Sequence, residues 1–210
     1  DQVQRVIHQT VGHEVQGQVA FARGEAEVDL LLKNAQIVNV YSGQIHPADV
    51  AIHQDRIVGL GDYRARQVID LQGQYLSPGF IDGHVHIESS MLRVSEFARG
   101  VVPRGTTTVV CDPHEIANVL GLDGIRYILE SSKYTPFSVY VMLPSCVPST
   151  DMETAGSKLS AEDLAAMFPS EWVLGLGEVM NYPGVIFREW EVLNKLKAAA
   201  GKAIDGHAPG

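Results

Sequence analysis

Residues 77–88 read Ser77-Pro78-Gly79-Phe80-Ile81-Asp82-Gly83-His84-Val85-His86-Ile87-Glu88. A Pro-Gly turn signal precedes Phe80–Ile87, which has the apolar character of a strand. Side chains two apart on a strand point to one face, so His84 and His86 project together, about 6–7 Å apart along it. Two imidazoles at that spacing can share one metal ion. They can equally be polar residues on a solvated strand face. Asp82 and Glu88 bracket the pair as further ligands or as groups that orient the imidazoles.

Working outward toward the C-terminus, apolar strand-like runs alternate with helical ones. Phe80–Ile87, Thr106–Cys111, Phe137–Leu143, Trp172–Val179 and Ala203–His207 read as strands. Leu92–Val102, Leu122–Ser132, Ala161–Phe168 and Ile186–Ala200 read as helices, the last stopped by Gly201. Repeated β-then-α units with near-continuous apolar strands predict a parallel sheet covered on both faces. In a parallel α/β barrel the reactive groups gather at the C-terminal ends of the strands. The second strand runs into Cys111-Asp112-Pro113-His114-Glu115, the fourth into Gly177-Glu178, and the fifth into Asp205-Gly206-His207. Two plainer readings stay open: Glu178 as a cap on the next helix, and His114-Glu115 as a capped turn.

Toward the N-terminus the pattern is different. Val28–Val40 is an apolar run broken at Lys33-Asn34 and closed by Ser42-Gly43. Asp49–His53, Arg56–Leu60 and Val68–Leu71 follow with close turns. These short segments predict a small antiparallel sheet or half-sandwich. Val3, Val6, Ile7 and Val11 suggest an amphipathic lead-in helix. His8, His13, His46 and His53 fall in this region, away from the strand-end pattern, and are expected at the surface. Cys111 and Cys146 are expected to be small buried hydrophobes.

Composition narrows the function classes. Sixteen Lys and Arg against 25 Asp and Glu in 210 residues give a net charge of −9, unsuited to a nucleic-acid backbone. No apolar run reaches the roughly 18 residues that cross a bilayer. Two cysteines are too few for a disulfide framework and point to a cytoplasmic, reduced setting. Gly175-Leu176-Gly177 lacks the third glycine of a dinucleotide fingerprint, and neither a nucleophile elbow nor a phosphate-binding loop occurs. His86-Ile87-Glu88 superficially matches the His-x-Glu of zinc cytidine-type deaminases, but the Cys-x-x-Cys that class also needs is missing.

Pro78–His86, following Val68-Ile69-Asp70-Leu71-Gln72-Gly73, resembles the amidohydrolase superfamily. Gly83–Met91, Gly105–Asn118, Gly177–Asn181 and Asp205–Gly210 look more specifically like its adenine deaminase family. The resemblance implies an α/β fold: a partial (β/α)8 TIM-type metal-dependent hydrolase barrel over residues 76–210, with roughly strands one to five. Residues 1–75 would form the lead-in and a small β-sandwich-like region. It implies a binuclear metal site of Mn2+ or Fe2+, with Zn2+ possible. His84 and His86 match the first-strand ligands, Glu178 the bridging carboxylate and His207 the fifth-strand ligand. Glu88, His114 and Glu115 are substrate-pocket candidates.

The implied reaction is hydrolysis of adenine to hypoxanthine and ammonia by a metal-held hydroxide, a step of purine salvage in the cytoplasm. The implied partner is this small molecule, with no nucleic acid or membrane, and the full-length protein is expected to be a homo-oligomer. The family's sixth-strand histidine and its acid/base aspartate from the eighth strand would lie beyond Gly210. A complete barrel takes about 250 residues, so the chain is expected to be an N-terminal part, inactive and poorly soluble alone. The alternatives are another glutamate-bridged amidohydrolase, such as an N-acetylglucosamine-6-phosphate deacetylase, or an inactive truncated metal-binding remnant. A phosphate substrate would require basic residues, whereas Arg93, Arg99, Arg104 and Arg126 read as helix-surface charges.

Overall fold

The computed structural model describes residues 18–150 and 152–207. The lead-in helix expected over Val3–Val11 lies outside them, as do His8 and His13. The chain divides after Pro78 into two compact units.

The first unit is a five-stranded sheet of β1 (Val28–Asn39), β2 (Gln44–His53), β3 (Arg56–Leu60), β4 (Ala65–Asp70) and β5 (Tyr75–Leu76). Its order is β3-β2-β1-β4, with β5 also on β1. The β1/β2 and β2/β3 pairs are antiparallel, but β4 and β5 run parallel to β1. The sheet is therefore mixed, which corrects the antiparallel expectation: the chain leaves β3 on one edge and returns on the far side of β1. Pairing on both sides buries Val28, Leu31 and Ala35.

The break at Lys33-Asn34 is a β-bulge: the β1/β2 register shifts between Leu32 and Ala35. Asn34 takes a positive φ of 56° there. Its N–H donates to Asp49 Oδ1 at 2.8 Å and its amide to Asp70 Oδ1 at 2.9 Å. His53 is not a surface residue; it stacks on Phe21 with ring centroids 3.5 Å apart. His46 is half-buried, with Nε2 3.4 Å from the Asn39 amide nitrogen.

The second unit is a curled sheet of five parallel strands, a half-barrel. These are β6 (Phe80–Val85), β7 (Thr106–Cys111), β8 (Ser138–Pro144), β9 (Val173–Val179) and β10 (Ala203–Gly206). They pair in chain order. The helices are α1 (Val94–Val101), α2 (His114–Leu120), α3 (Leu122–Ser132), α4 (Ala161–Ala165), α5 (Tyr182–Ile186) and α6 (Trp190–Ala198). The parallel sheet is the one the alternation of elements predicts, and its curl is the partial barrel that the amidohydrolase resemblance implies. Val109, Val139, Val141, Leu143 and Leu176 from the strands pack with Ile125, Ile128 and Leu164 from the helices into one core. Cys111 and Cys146 are free and buried, and burial pushes the Cys146 thiol up to about 12.

Local chemistry explains the helix boundaries. Ser160 and Asp163 form a reciprocal capping box at the start of α4. Asn181 caps α5, its Oδ1 accepting the Gly184 N–H at 3.0 Å. The helix expected over Ile186–Ala200 is α6, which starts only at Trp190 because Arg188 adopts φ 61° before it; the short α5 ends at Ile186, where that range begins, and is additional to the expected elements. The helix α2 was not anticipated. It turns sharply into α3 at Gly121 and Gly124, where a Cβ on Gly124 would meet the Ile116 carbonyl oxygen at 2.8 Å. Among the described residues no helix is long and apolar enough to cross a membrane.

Candidate metal centre

The C-terminal ends of β6, β7, β9 and β10 bring the charged side chains of the second unit together. The β6/β7 register shifts between Asp82 and Val85, a bulge of the kind that re-aims side chains at a sheet edge. The Asp82 carboxylate accepts the His84 N–H at 3.2 Å. His84 and His86 meet edge-to-face, with their Nε2 atoms 3.1 Å apart. From three strands away Glu178 reaches in, its side chain 14% exposed, and places Oε1 3.0 Å from His84 Nε2 and 3.9 Å from His86 Nε2. His207, just past β10, brings its Nε2 to 3.4 Å from the same oxygen. Glu178 Oε1 is thus ringed by three imidazole nitrogens. Its Oε2 faces a fourth, His114 Nδ1, at 3.5 Å. A cleft of about 220 Å³ opens between His84, Glu178, Asp205, Gly206 and His207.

The donor set fits a divalent cation. His86 Nδ1 lies 2.7 Å from the Asp112 carbonyl oxygen. A carbonyl only accepts, so Nδ1 carries the proton and Nε2 presents a lone pair toward His84 and Glu178. Imidazole nitrogens and a carboxylate oxygen converging on one space form the ligand chemistry of Zn2+, Mn2+ or Fe2+. The donor atoms of His84, His86 and Glu178 lie within 4.8 Å of one another, as do those of His86, His114 and Glu115, and of Asp112, His114 and Glu178. Several polar atoms here are buried with no hydrogen-bond partner: Asp112 Oδ1, His114 Nδ1, Glu115 Oε2 and Glu88 Oε2. Such orphans are costly unless something occupies the space they face.

The four residues matched to metal ligands therefore converge, and His114 joins them. The expectation placed His114 in the substrate pocket; the structure sets it as close to Glu178 Oε2 as His207 is to Oε1. Neither His114 nor Glu115 belongs to a mere capped turn: His114 opens α2, whose start has no side-chain cap. Glu178 does not cap the following helix, since Asn181 does so. Glu88 stands behind the ligand cluster, its Oε1 3.4 Å from the Ile116 N–H.

The site's electrostatics follow from burial and neighbouring charge. Burial pushes the Glu88 carboxyl up to about 7, reinforced by Glu115. Burial also acts to raise Glu115, but the Ser89 hydroxyl that donates to it, the adjacent Glu88 carboxyl and the nearby His114 hold it below the usual range. Asp112 raises His114; the 3.4 Å contact between them is charge attraction, not a well-aligned hydrogen bond. Burial raises Asp205, whose Oδ2 lies 3.9 Å from His84 Nδ1. Residue-type reasoning passed over Asp112 and Asp205. Asp112 sits in an Asp-Pro pair that reads as a turn, yet its place directly after a strand was a usable signal. The Gly175-Leu176-Gly177 run answers to packing: a Cβ on Gly175 would come within 1.9 Å of the Ala203 carbonyl oxygen.

Residues 75–210 match the amidohydrolase family. An adenine deaminase of Clostridium acetobutylicum is 55% identical over 197 residues, covering 93% of this chain and 35% of that protein. Adenine deaminase 2 of Carboxydothermus hydrogenoformans is 55% identical over 192 residues, covering 91% of this chain and 34% of that protein. The chain thus spans about a third of the length of these relatives. Among solved structures, the N-acyl-D-glutamate deacylase of Bordetella bronchiseptica, complexed with zinc and a phosphonate inhibitor, superposes with a TM-score of 0.62 at 18% identity, over 87% of this chain and 45% of that one. A dihydroorotase gives a TM-score of 0.55 at 21% identity, over 87% of this chain and 52% of that one. At these identities the two structures speak for the fold alone.

Proposed function

The chain belongs to the amidohydrolase family, and from that premise we propose that it carries the metal-binding part of an adenine deaminase, a hydrolase that converts adenine to hypoxanthine and ammonia. The observation that carries the reading is the ring of His84, His86 and His207 around Glu178 Oε1, in a chain 55% identical to an adenine deaminase over 197 residues.

In this reading His84, His86, Glu178 and His207 hold a pair of divalent cations, Mn2+ or Fe2+, with Zn2+ compatible. Bound there, the cations supply the positive charge that activates water near neutral pH. The chain's own residues orient and define the site. The Asp112 carbonyl fixes the His86 tautomer, so that Nε2 faces the centre. Glu178 offers one carboxylate oxygen to each half of the cluster. Glu88, its carboxyl pushed up to about 7 by burial, and the neighbouring Glu115 are the candidates for contacting the substrate.

The amino-sugar phosphate alternative is disfavoured by the arginines it would need. Arg93 and Arg99 pair with Glu96, and Arg126 with Asp123, all on exposed helix faces. The test is to incubate the full-length protein with Mn2+ and adenine and follow the absorbance change to hypoxanthine together with ammonia release. Turnover is expected. Turnover of N-acetylglucosamine 6-phosphate with adenine untouched would overturn the assignment.

A further inference from the structure

Glu178 occupies an unusual backbone position. On the β8 side the strand pairing runs to Pro144 with Gly177 and stops there. On the β10 side it shifts register between Ile204 and Gly206 and resumes at Val179. Side chains take over where the ladder lapses. The Glu178 N–H donates to Asp112 Oδ2. The Glu178 carbonyl accepts from the Ser145 hydroxyl at 2.7 Å. Both hydroxyl and carboxylate come from strand ends on the β7 and β8 side.

Asp112 is the more committed of the two. It is 1% exposed, a rare state for a carboxylate, and the charged group nearest to it is the His114 imidazole. Gly177 makes room for it: a Cβ there would stand 3.1 Å from Asp112 Oδ2 and 2.6 Å from Asp205 Oδ1. The same residue touches two more members of the cluster. Its carbonyl receives His86 Nδ1 at 2.7 Å, and its Oδ1 lies 3.4 Å from His114 Nδ1.

We propose that Asp112 is the positioning residue of the centre, clamping the Glu178 backbone with its carboxylate and orienting the His86 ring with its carbonyl. Ser145 closes the clamp from the other side. The carboxylate fixes where the strand presents Glu178 without contributing a ligand of its own. The proposal rests on the metal-binding reading above, and two readouts separate them. The first is Mn2+ affinity and stoichiometry of the full chain, with Mn2+ alone as the probe. The second is residue-resolved hydrogen exchange of the Glu178 amide in the metal-free protein.

Asp112→Ala is expected to weaken Mn2+ binding by about 10–100-fold, the usual cost of losing a partner that orients a ligand, with the saturating stoichiometry unchanged. The Glu178 amide is expected to exchange at least roughly tenfold faster, while that of Leu176 is unaffected. Asp112→Asn should fall between, because a carboxamide oxygen still accepts the N–H but has lost its charge. Ser145→Ala, which releases the carbonyl side, should give the same pattern more weakly and serves should Asp112→Ala fail to fold. Unchanged affinity together with unchanged exchange overturns the proposal. So does loss of one equivalent of Mn2+ at saturation, which would make Asp112 a ligand. If the wild-type chain binds no Mn2+ while Glu178 exchange still rises in the variants, the metal reading falls and the clamp stands.

Discussion

The carboxylates of the two units are put to opposite uses. In the N-terminal sheet Asp29 accepts the Gln54 N–H at 2.8 Å, and Asp70 accepts the Asn34 amide and the Gln72 N–H at 2.9 Å each. Those donors hold both carboxyls below the usual range. In the half-barrel, Asp112, Glu115, Glu178 and Asp205 are gathered beside one another and beside imidazoles. There burial raises Asp205 and Glu88, and buried oxygens lack partners. A carboxylate supplied with N–H donors shapes a turn or a bulge. Carboxylates crowded together with unmet lone pairs mark a place built to receive a cation or a ligand.

The largest effect that could break this contrast is at Glu178. Glu178→Ala is expected to weaken Mn2+ binding by more than about 100-fold, beyond what loss of an orienting partner costs, whereas Asp70→Ala leaves it unchanged. Equilibrium dialysis with metal analysis measures both, and equal effects would erase the distinction between the units.

Next in size is the core beneath the cluster. Leu143 is fully buried on β8 whereas Leu60 on β3 is 50% exposed. Leu143→Ala is expected to cost about 2–5 kcal/mol, and Leu60→Ala no more than about 0.5 kcal/mol, in denaturant unfolding followed separately for the two units. A Leu143→Ala change as mild as the surface one would mean that the strand ends are not held by packing.

The smallest effect sharpens the role of Asp70. The Asn34 amide and the Gln72 N–H hold its carboxyl in the folded protein below the usual carboxylate range. Its contribution is therefore present above about pH 3.8 and is lost as pH falls through the lower folded value. Thermal midpoints from pH 6 down to pH 2.5 should fall less steeply for Asp70→Asn than for the wild type; parallel curves would dismiss the hydrogen-bonded carboxylate as a source of acid sensitivity.

Much of the second unit could be read from sequence because each strand carries its own signal. Thr106–Cys111 and the helix over Leu122–Ser132 stand where apolar period and turn residues put them. The strand-end histidines and Glu178 were visible for the same reason: a polar side chain closing an apolar run is conspicuous. What escaped depended on pairing partners. The parallel return of β4 onto β1 is a choice of sheet edge, and an alternating segment looks the same on either edge. The helix α2 is short, and its sequence competes with the Asp-Pro turn before it. Asp112 was hidden because its role lies in the backbone of a residue 66 positions away. Local pattern holds no trace of such a bond.

The strict chain order of the parallel strands has a consequence for assembly. Each strand from β7 to β10 pairs with the one made just before it, so the sheet can lengthen one edge at a time, each new strand brought back by its own helical crossover. The cluster cannot grow in the same gradual way. His84 is on the first strand added and His86 just past it, Glu178 on the fourth and His207 just past the fifth, so the early imidazoles wait uncommitted until Glu178 arrives about 90 residues later and His207 about 120 residues later. Growth of the scaffold is incremental, whereas completion of the centre is a single late event.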